Sequence, residues 1–314
     1  MTFNARGLYA SSSKVPRQRR FRWMWLGIVA AVAALVTGVA AALGAVPVGG
    51  EERPPQRFDG AERVVIENRT PGEVTVTGAD TDAVEVRAEL KRSLLFEPDV
   101  RLDERGGEVR AEASCQATLM SACSVDYDVT VPEGADVEVV TVGGEVELVG
   151  VQGTVRAESV SGPIEAEDLG GDARLETTSA PIDVKGATGT VEARSVSGPI
   201  EMEGVDSDRV IAESTSGPIE IEGAFTTAEL ETTSGPVEVE TRERFESLRA
   251  ESTSGNVELR VPDGAYDVRT ETSSGNADVD VRDDSGADSS IRASTTSGNV
   301  EVRTGGDEDG DGGD

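Results

Sequence analysis

The chain has 314 residues with 60 Asp and Glu, 29 Lys and Arg, no His, and only 4% aromatics against 36 Gly. The missing histidine excludes Ser-His-Asp and Cys-His hydrolases and His-ligated metals. Residues 1–22 hold six of the basic residues and no acid, so the rest of the chain carries 23 basic against 60 acidic groups, a net of −37. Such a surface repels nucleic acid and attracts cations or basic partners.

In chain order, residues 1–22 read as a basic cytoplasmic N-terminus, and residues 23–50 as a transmembrane helix. No charge occurs from Trp23 to Gly50, a run that as a helix reaches about 42 Å against a hydrocarbon core of about 30 Å. Trp23 and Trp25 suit the interface, and the Arg17, Arg19, Arg20, Arg22 cluster keeps the N-terminus inside. A cleaved signal peptide with Ala40 and Ala42 near the cleavage point is the competing reading. Both place the bulk of the chain outside the cytoplasm, at the cell membrane. Residues 51–57 are a Pro-containing linker.

Residues 58–139 read as β but without a recurring phrase, and an irregular N-terminal β cap is expected there. Cys115 and Cys123 fall in this stretch, and in an oxidising compartment they would close one small loop as a disulfide. Two free buried thiols are the alternative.

Over residues 140–304 one phrase recurs, as in SVSGPIEAE, STSGPIEIE and STSGNVELR. Its anchor serine falls at Ser161, Ser179, Ser197, Ser216, Ser234, Ser254, Ser274 and Ser297, with Gly143 in the same slot upstream. Nine rungs of about 18 to 23 residues make an internal repeat. Apolar residues three and five places after each anchor alternate with polar ones, which is strand periodicity. The expectation is all-β, a parallel β-solenoid (β-helix) of about nine rungs stacked in chain order. Ser or Thr two places before the anchor stacks inward and bonds to backbone. The Ser-Gly-Pro and Ser-Gly-Asn triplets turn the corners, and Ala180 in one Gly slot points to a need for small size. Asn256, Asn276 and Asn299 replace Pro in the last three rungs, where stacked amides form ladders. Residues 305–314 are a disordered acidic tail by composition.

Four places after each anchor the residue is acidic: Glu147, Glu165, Asp183, Glu201, Glu220, Glu238, Glu258, Asp278 and Glu301. Like charges about 4.8 Å apart repel by about 0.9 kcal/mol per pair even in water, so such a ladder calls for offsetting cations. Two readings stand: a face that binds Ca²⁺ or a polycation, or a solvated face that keeps the rod soluble. Arg242, Arg244, Phe245 and Arg249 gather on an insertion and read either as a docking spot or as partners for nearby Glu. Asp307, Asp309, Asp311 and Gly312 open like a calcium loop, but its closing carboxylate would fall beyond Asp314. Catalysis needs distinct carboxylates with split pKa values, whereas the rungs repeat one Glu, so no catalytic residue is assigned.

The string YDVTVPEGADVEVVTVGGEVEL, followed by the Ser-Gly rungs, resembles the bacterial putative-adhesin domain of unknown function over roughly residues 58–303. The resemblance implies a parallel β-solenoid outside the cytoplasm and brings no catalytic residues. The function that follows is a noncatalytic, membrane-anchored envelope rod contacting cell-wall polymer, cations or another surface protein. A regulatory ectodomain acting through a partner membrane protein is the alternative, and a carbohydrate-active β-helix enzyme the weaker one.

Overall fold

A computed structural model describes residues 47–93, 97–115 and 123–305, with residues 35 and 39. The described part is essentially all strand, 25 in number, joined into a long, unclosed, mostly parallel sheet. Among the described residues no helix is long and apolar enough to cross a membrane. The segment 23–50 lies outside them apart from residues 35, 39 and 47–50. These last four belong to a strand, Pro47–Glu52, paired antiparallel with Ala83–Ser93. Gly49, at φ 134°, and Gly50 favour this over helix, so the charge-free run left for a span is 23–46.

The strands stack because the repeat length returns each residue to its own column. Ile164 faces Val146 on one side and Ile182 on the other, and Ile182 faces Ile200, Ile200 Ile219, and Ile219 Val237. One residue on, the carboxylates align, and one further the next apolar column aligns. Side chains two apart share a strand face, so both apolar columns fill the interior: Ile164, Ile182, Ile200, Leu148 and Leu259 are fully buried. The small hydroxyls close the corners. Ser159, Ser195, Ser214 and Ser252 are buried and each Oγ accepts a bond from the amide of the glycine three residues on, at 2.8–2.9 Å.

The corner glycines are required by the backbone of the neighbouring rung. A Cβ on Gly162, Gly217 or Gly235 would lie 1.8–2.0 Å from the carbonyl oxygen of the glycine below. None of the three has a positive φ. Small size, as Ala180 suggests, is therefore the requirement.

The stack departs from chain order at its C-terminal end. Ser247–Ser252 and Val257–Val261 of the Ser254 rung pair with Ser290–Thr295 and Val300–Thr304 of the Ser297 rung. The Ser274 rung, Ala265–Thr272 and Ala277–Asp280, then pairs on the far side of the Ser297 rung. The last rung in sequence is thus inserted, and the rung before it is outermost. Interior composition accounts for the exchange. Ile291, Ala293, Val300 and Val302 are buried, whereas the same positions of the outermost rung hold Val268, Thr270, Ala277 and Val279. The more apolar rung gains more from cover on both sides.

The N-terminal end shows the same device. Arg63–Arg69 and Val74–Ala79 pair parallel with Asp136–Thr141 and Val146–Val149 on one side. On the other they pair parallel with Glu108–Cys115 and Ser124–Pro132. The region expected as an irregular cap thus holds two further in-register rungs. Capping falls to antiparallel strands outside them: Pro98–Arg105 on Glu108–Cys115, and Ala83–Ser93 on Ser124–Pro132. The first rung was hidden by its wording, since Gly72-Glu73-Val74-Thr75-Val76 carries no serine. It nevertheless stacks in register on Gly144-Glu145-Val146-Glu147-Leu148.

Candidate functional site: the carboxylate ladder

Parallel register brings the nine predicted carboxylates into one line. Glu147, Glu165, Asp183, Glu201, Glu220, Glu238 and Glu258 are successive neighbours. Glu301 follows Glu258, and Asp278 comes last. The order of the final two is reversed from that expected, because their rungs are exchanged.

The ladder divides electrostatically. Towards the C-terminal end Arg260 pairs with Glu238 at 2.5 Å and Glu258 at 2.6 Å, and Arg303 pairs with Glu258 at 3.1 Å and Glu301 at 2.5 Å. Thr75 Oγ1 donates to Glu147 at 3.3 Å. From Glu165 to Glu220 no ladder carboxylate has an Arg or Lys within ion-pair distance among the described residues; Lys185 is paired with Glu167 instead. Burial, together with Glu201 and Glu165, raises the pKa of Asp183. Burial, together with Glu165 and Glu73, raises that of Glu145 at the ladder's head. Two residues along, a neighbouring column runs beside the first and is acidic at Glu167, Glu203, Glu222 and Glu240, with Lys185, Arg260 and Arg303 interspersed. The two enclose a small pocket of about 130 Å³ lined by Glu201, Glu203, Glu220, Glu222, Glu238, Glu240 and Arg260.

Stacked strands space carboxylates in a row and do not wrap them round a point. Among the described residues no three of them converge as a group that could hold a metal ion. The arrangement suits diffuse attraction of cations along a face more than chelation of one Ca²⁺ in an oxygen cage of six to eight ligands.

On the strands that precede the corners, several charges are paired with one another. Arg174 bonds Glu176 and Glu192, and Arg194 bonds Glu213 at 2.9 Å and Glu192. The hydrogen bond from Arg194 lowers the Glu213 pKa. Of these residues Glu176, Arg194 and Glu213 line a groove of about 620 Å³ beside the exposed Val160 and Val196.

The insertion residues are not assembled as a docking spot. Phe245 is 4% exposed and packs between Phe225 and Tyr266, with ring centroids 5.7 and 5.5 Å away. Arg242 pairs with Glu240 and Arg249 with Glu251. An aromatic ring on a strand-to-strand insertion is more stable in the interior than in water, and its sequence context gives no sign of the direction it takes. Cys115 and Cys123 are joined as a disulfide, with Cα atoms 6.3 Å apart, on the outermost parallel rung of the N-terminal end. The Asp307, Asp309, Asp311, Gly312 motif lies outside the described residues.

Stacked, in-register parallel strands of this kind, with glycine or alanine at the corners of the repeated phrase, define a β-repeat domain. The chain belongs to the Toastrack DUF4097 family, whose model matches residues 61–310. No curated protein matches it. Among solved structures it is similar to a putative adhesin from Parabacteroides merdae, at 11% identity and a TM-score of 0.47, covering 81% of this chain and 96% of that one. It is also similar to a putative lipid binding protein from Parabacteroides distasonis, at 12% identity and a TM-score of 0.41, over 82% and 98% of the two chains. A putative adhesin from Bacteroides fragilis is 11% identical with a TM-score of 0.38, over 82% and 97%.

Proposed function

We propose that the chain is a noncatalytic, membrane-anchored envelope protein, a β-solenoid rod whose acidic face engages cationic groups on wall polymer or on another surface protein. The observation that carries this reading is the run Glu165, Asp183, Glu201 and Glu220, stacked in register and lacking cationic partners among the described residues. Such a run attracts counter-charge along its whole length. The charge-free run before Pro47 supplies the anchor, and the body begins directly after it, because Pro47–Glu52 is already part of the sheet.

The test is a pull-down of the full chain and of its soluble part, from residue 47 on, with and without calcium. An envelope rod captures the same wall or surface component in both forms. Capture by the intact membrane protein alone would support a sensing ectodomain working through a membrane partner. Calcium should also raise the melting temperature more than sodium at matched ionic strength, and equal melting would reduce the ladder to a solvated face.

A further inference from the structure

The two ends of the stack are finished differently. At the N-terminal end antiparallel strands cover the last parallel rung. At the other end the Ser274 rung pairs on one side only, Asp267–Thr272 with Ser290–Thr295 and Ala277–Asp280 with Val300–Arg303. The chain's return, Arg282–Asp283, covers just Ala265 and Tyr266. Residues 277–280 are therefore an open strand edge among the described residues. All four are exposed, including Ala277 and Val279, whose counterparts in the other rungs are buried. The asparagine ladder also runs out here. Asn299 bonds to Asn256 and Asn276 bonds to Asn299, and the exposed Asn276 ends the series.

An open edge offers backbone donors and acceptors to any extended chain. Here the charge limits which chain can use it. Residues 265–288 carry seven acids against Arg269 and Arg282, and Arg269 is already paired with Asp267. Asp278 and Asp280 alternate with Ala277 and Val279 along the edge itself. In the rung below, Asp280 lies opposite Arg303 and Asp278 opposite Glu301, and Arg303 is engaged by Glu258 and Glu301. A second copy of the rung, or the acidic segment after residue 305, would add further carboxylates to an edge where Asp278 already faces Glu301.

We propose that the open edge at residues 277–280 is a strand-addition site for a basic partner segment with Lys or Arg at alternate positions and small apolar residues between. Backbone bonds provide the attachment, Asp278 and Asp280 select the charge, and the partner's apolar residues cover Ala277 and Val279. The proposal rests on the surface-interaction reading and assigns it a location, at the end of the stack opposite the strand that follows the anchor.

The test measures binding of three synthetic peptides to the full chain in nanodiscs. One alternates Lys and Val, one alternates Glu and Val, and one has the Lys–Val composition with a central proline that prevents strand pairing. The alternating Lys peptide should bind, and the other two should bind at least about tenfold more weakly. The exposed-site double variant Asp278→Lys/Asp280→Lys, with its melting checked against the parent, should reverse the preference between Lys and Glu peptides. Equal binding of the proline peptide would overturn strand addition. Lys-peptide binding that survives the tip variant but is lost in Glu201→Lys/Glu220→Lys would move the site to the ladder, sinking the tip proposal while leaving the envelope-rod reading intact. Absence of binding by any Lys peptide, while the full chain still captures its surface component, would also overturn the tip proposal alone.

Discussion

The backbone amide of Asn299 donates to the side-chain oxygen of Asn256 at 3.0 Å, across 43 residues of sequence, and Asn276 makes the same bond to Asn299. The order of the three is 256, 299, 276, as the carbonyl contacts also show: Val257 N donates to Asn299 O and Val300 N to Asn276 O. Proline has no amide proton to offer. The rungs that carry Asn in place of Pro are the three that stack on one another in this exchanged order, so the triplet spelling marks a structural unit.

Asn299→Pro removes both the amide that donates to Asn256 and the side-chain oxygen that accepts from the Asn276 amide, at a corner whose backbone suits proline in five other rungs. The loss should be about 2 kcal/mol, the size of two net hydrogen bonds, read as a lower melting temperature. Cysteine pairs report the order directly. Glu258→Cys with Glu301→Cys should cross-link, and Glu258→Cys with Asp278→Cys should not; the opposite pattern would restore stacking in chain order.

The ladder makes stability depend on pH in a definite direction. Asp183 and Glu145 have raised pKa values in the folded chain, so the folded state holds more protons than the unfolded one near the ordinary carboxylate value of about 4 and just above it. Stability from these two groups therefore rises as pH falls through their folded pKa values, and their charge is a burden at neutral pH. Glu213, lowered by its bond to Arg194, works the other way: its contribution is present above the unfolded value and is lost on acidification. Asp183→Asn should raise the melting temperature at pH 7 and flatten the gain on mild acidification. Glu213→Gln should lower the melting temperature at pH 7. An Asp183→Asn variant that melts lower at pH 7 would show that its charge is compensated.

The corner glycines predict a steep dependence on size. At Gly217 an added Cβ would lie 2.0 Å from the Gly198 carbonyl oxygen, so Gly217→Ala must push two rungs apart. The expected cost is about 1–3 kcal/mol or more, the range for overpacking. Ala180→Gly, in the one slot that already holds a methyl, should cost only about 0.5–1 kcal/mol. Equal melting shifts for the two would mean that rung spacing adjusts freely.

The repeat was legible because each rung spells its own register: a small corner residue, then apolar, acidic, apolar. That spelling located the interior columns and the carboxylate line to the residue. It carried no information on the order of the last three rungs, because Val257, Ala277 and Val300 are interchangeable as text. Only their burial separates them, and burial depends on the summed apolar content of whole rungs such as 291–302 against 268–279. The first rung escaped for a related reason: Pro71-Gly72 replaces Ser-Gly, while the feature the stack requires is the absence of a Cβ at Gly72, where one would meet the Val125 carbonyl oxygen at 1.9 Å. The electrostatic division of the ladder was invisible too, since Arg260 and Arg303 reach it from a neighbouring column.

Deleting a whole rung tests the stack itself. Removing residues 179–196 takes out Ile182–Ala187 and Val191–Ser195 together. Thr178 then joins Ser197, so Ile164 stacks on Ile200 and Glu165 beside Glu201, while Ala173 meets Val210 in place of Val191. Every interior column keeps its chemistry, Gly198 comes to rest on Gly162, and the loss is one interface among several, as in other linear arrays. The cost is increased by Arg174 losing Glu192, although Glu176 remains to it, and by Glu213 losing Arg194 and coming to lie beside Glu176. The shortened chain should fold, melt cooperatively at a somewhat lower temperature, and resist protease. Removing residues 179–187 instead leaves Val191–Ser195 without the Ile182–Ala187 strand of the same rung. The remnant spans half a turn, so the apolar faces of the rungs on either side lose register with each other. That chain should be protease-sensitive and lose cooperative melting. Similar behaviour of the two deletions, whether tolerated or ruinous, would contradict a stack built from 18-residue rungs.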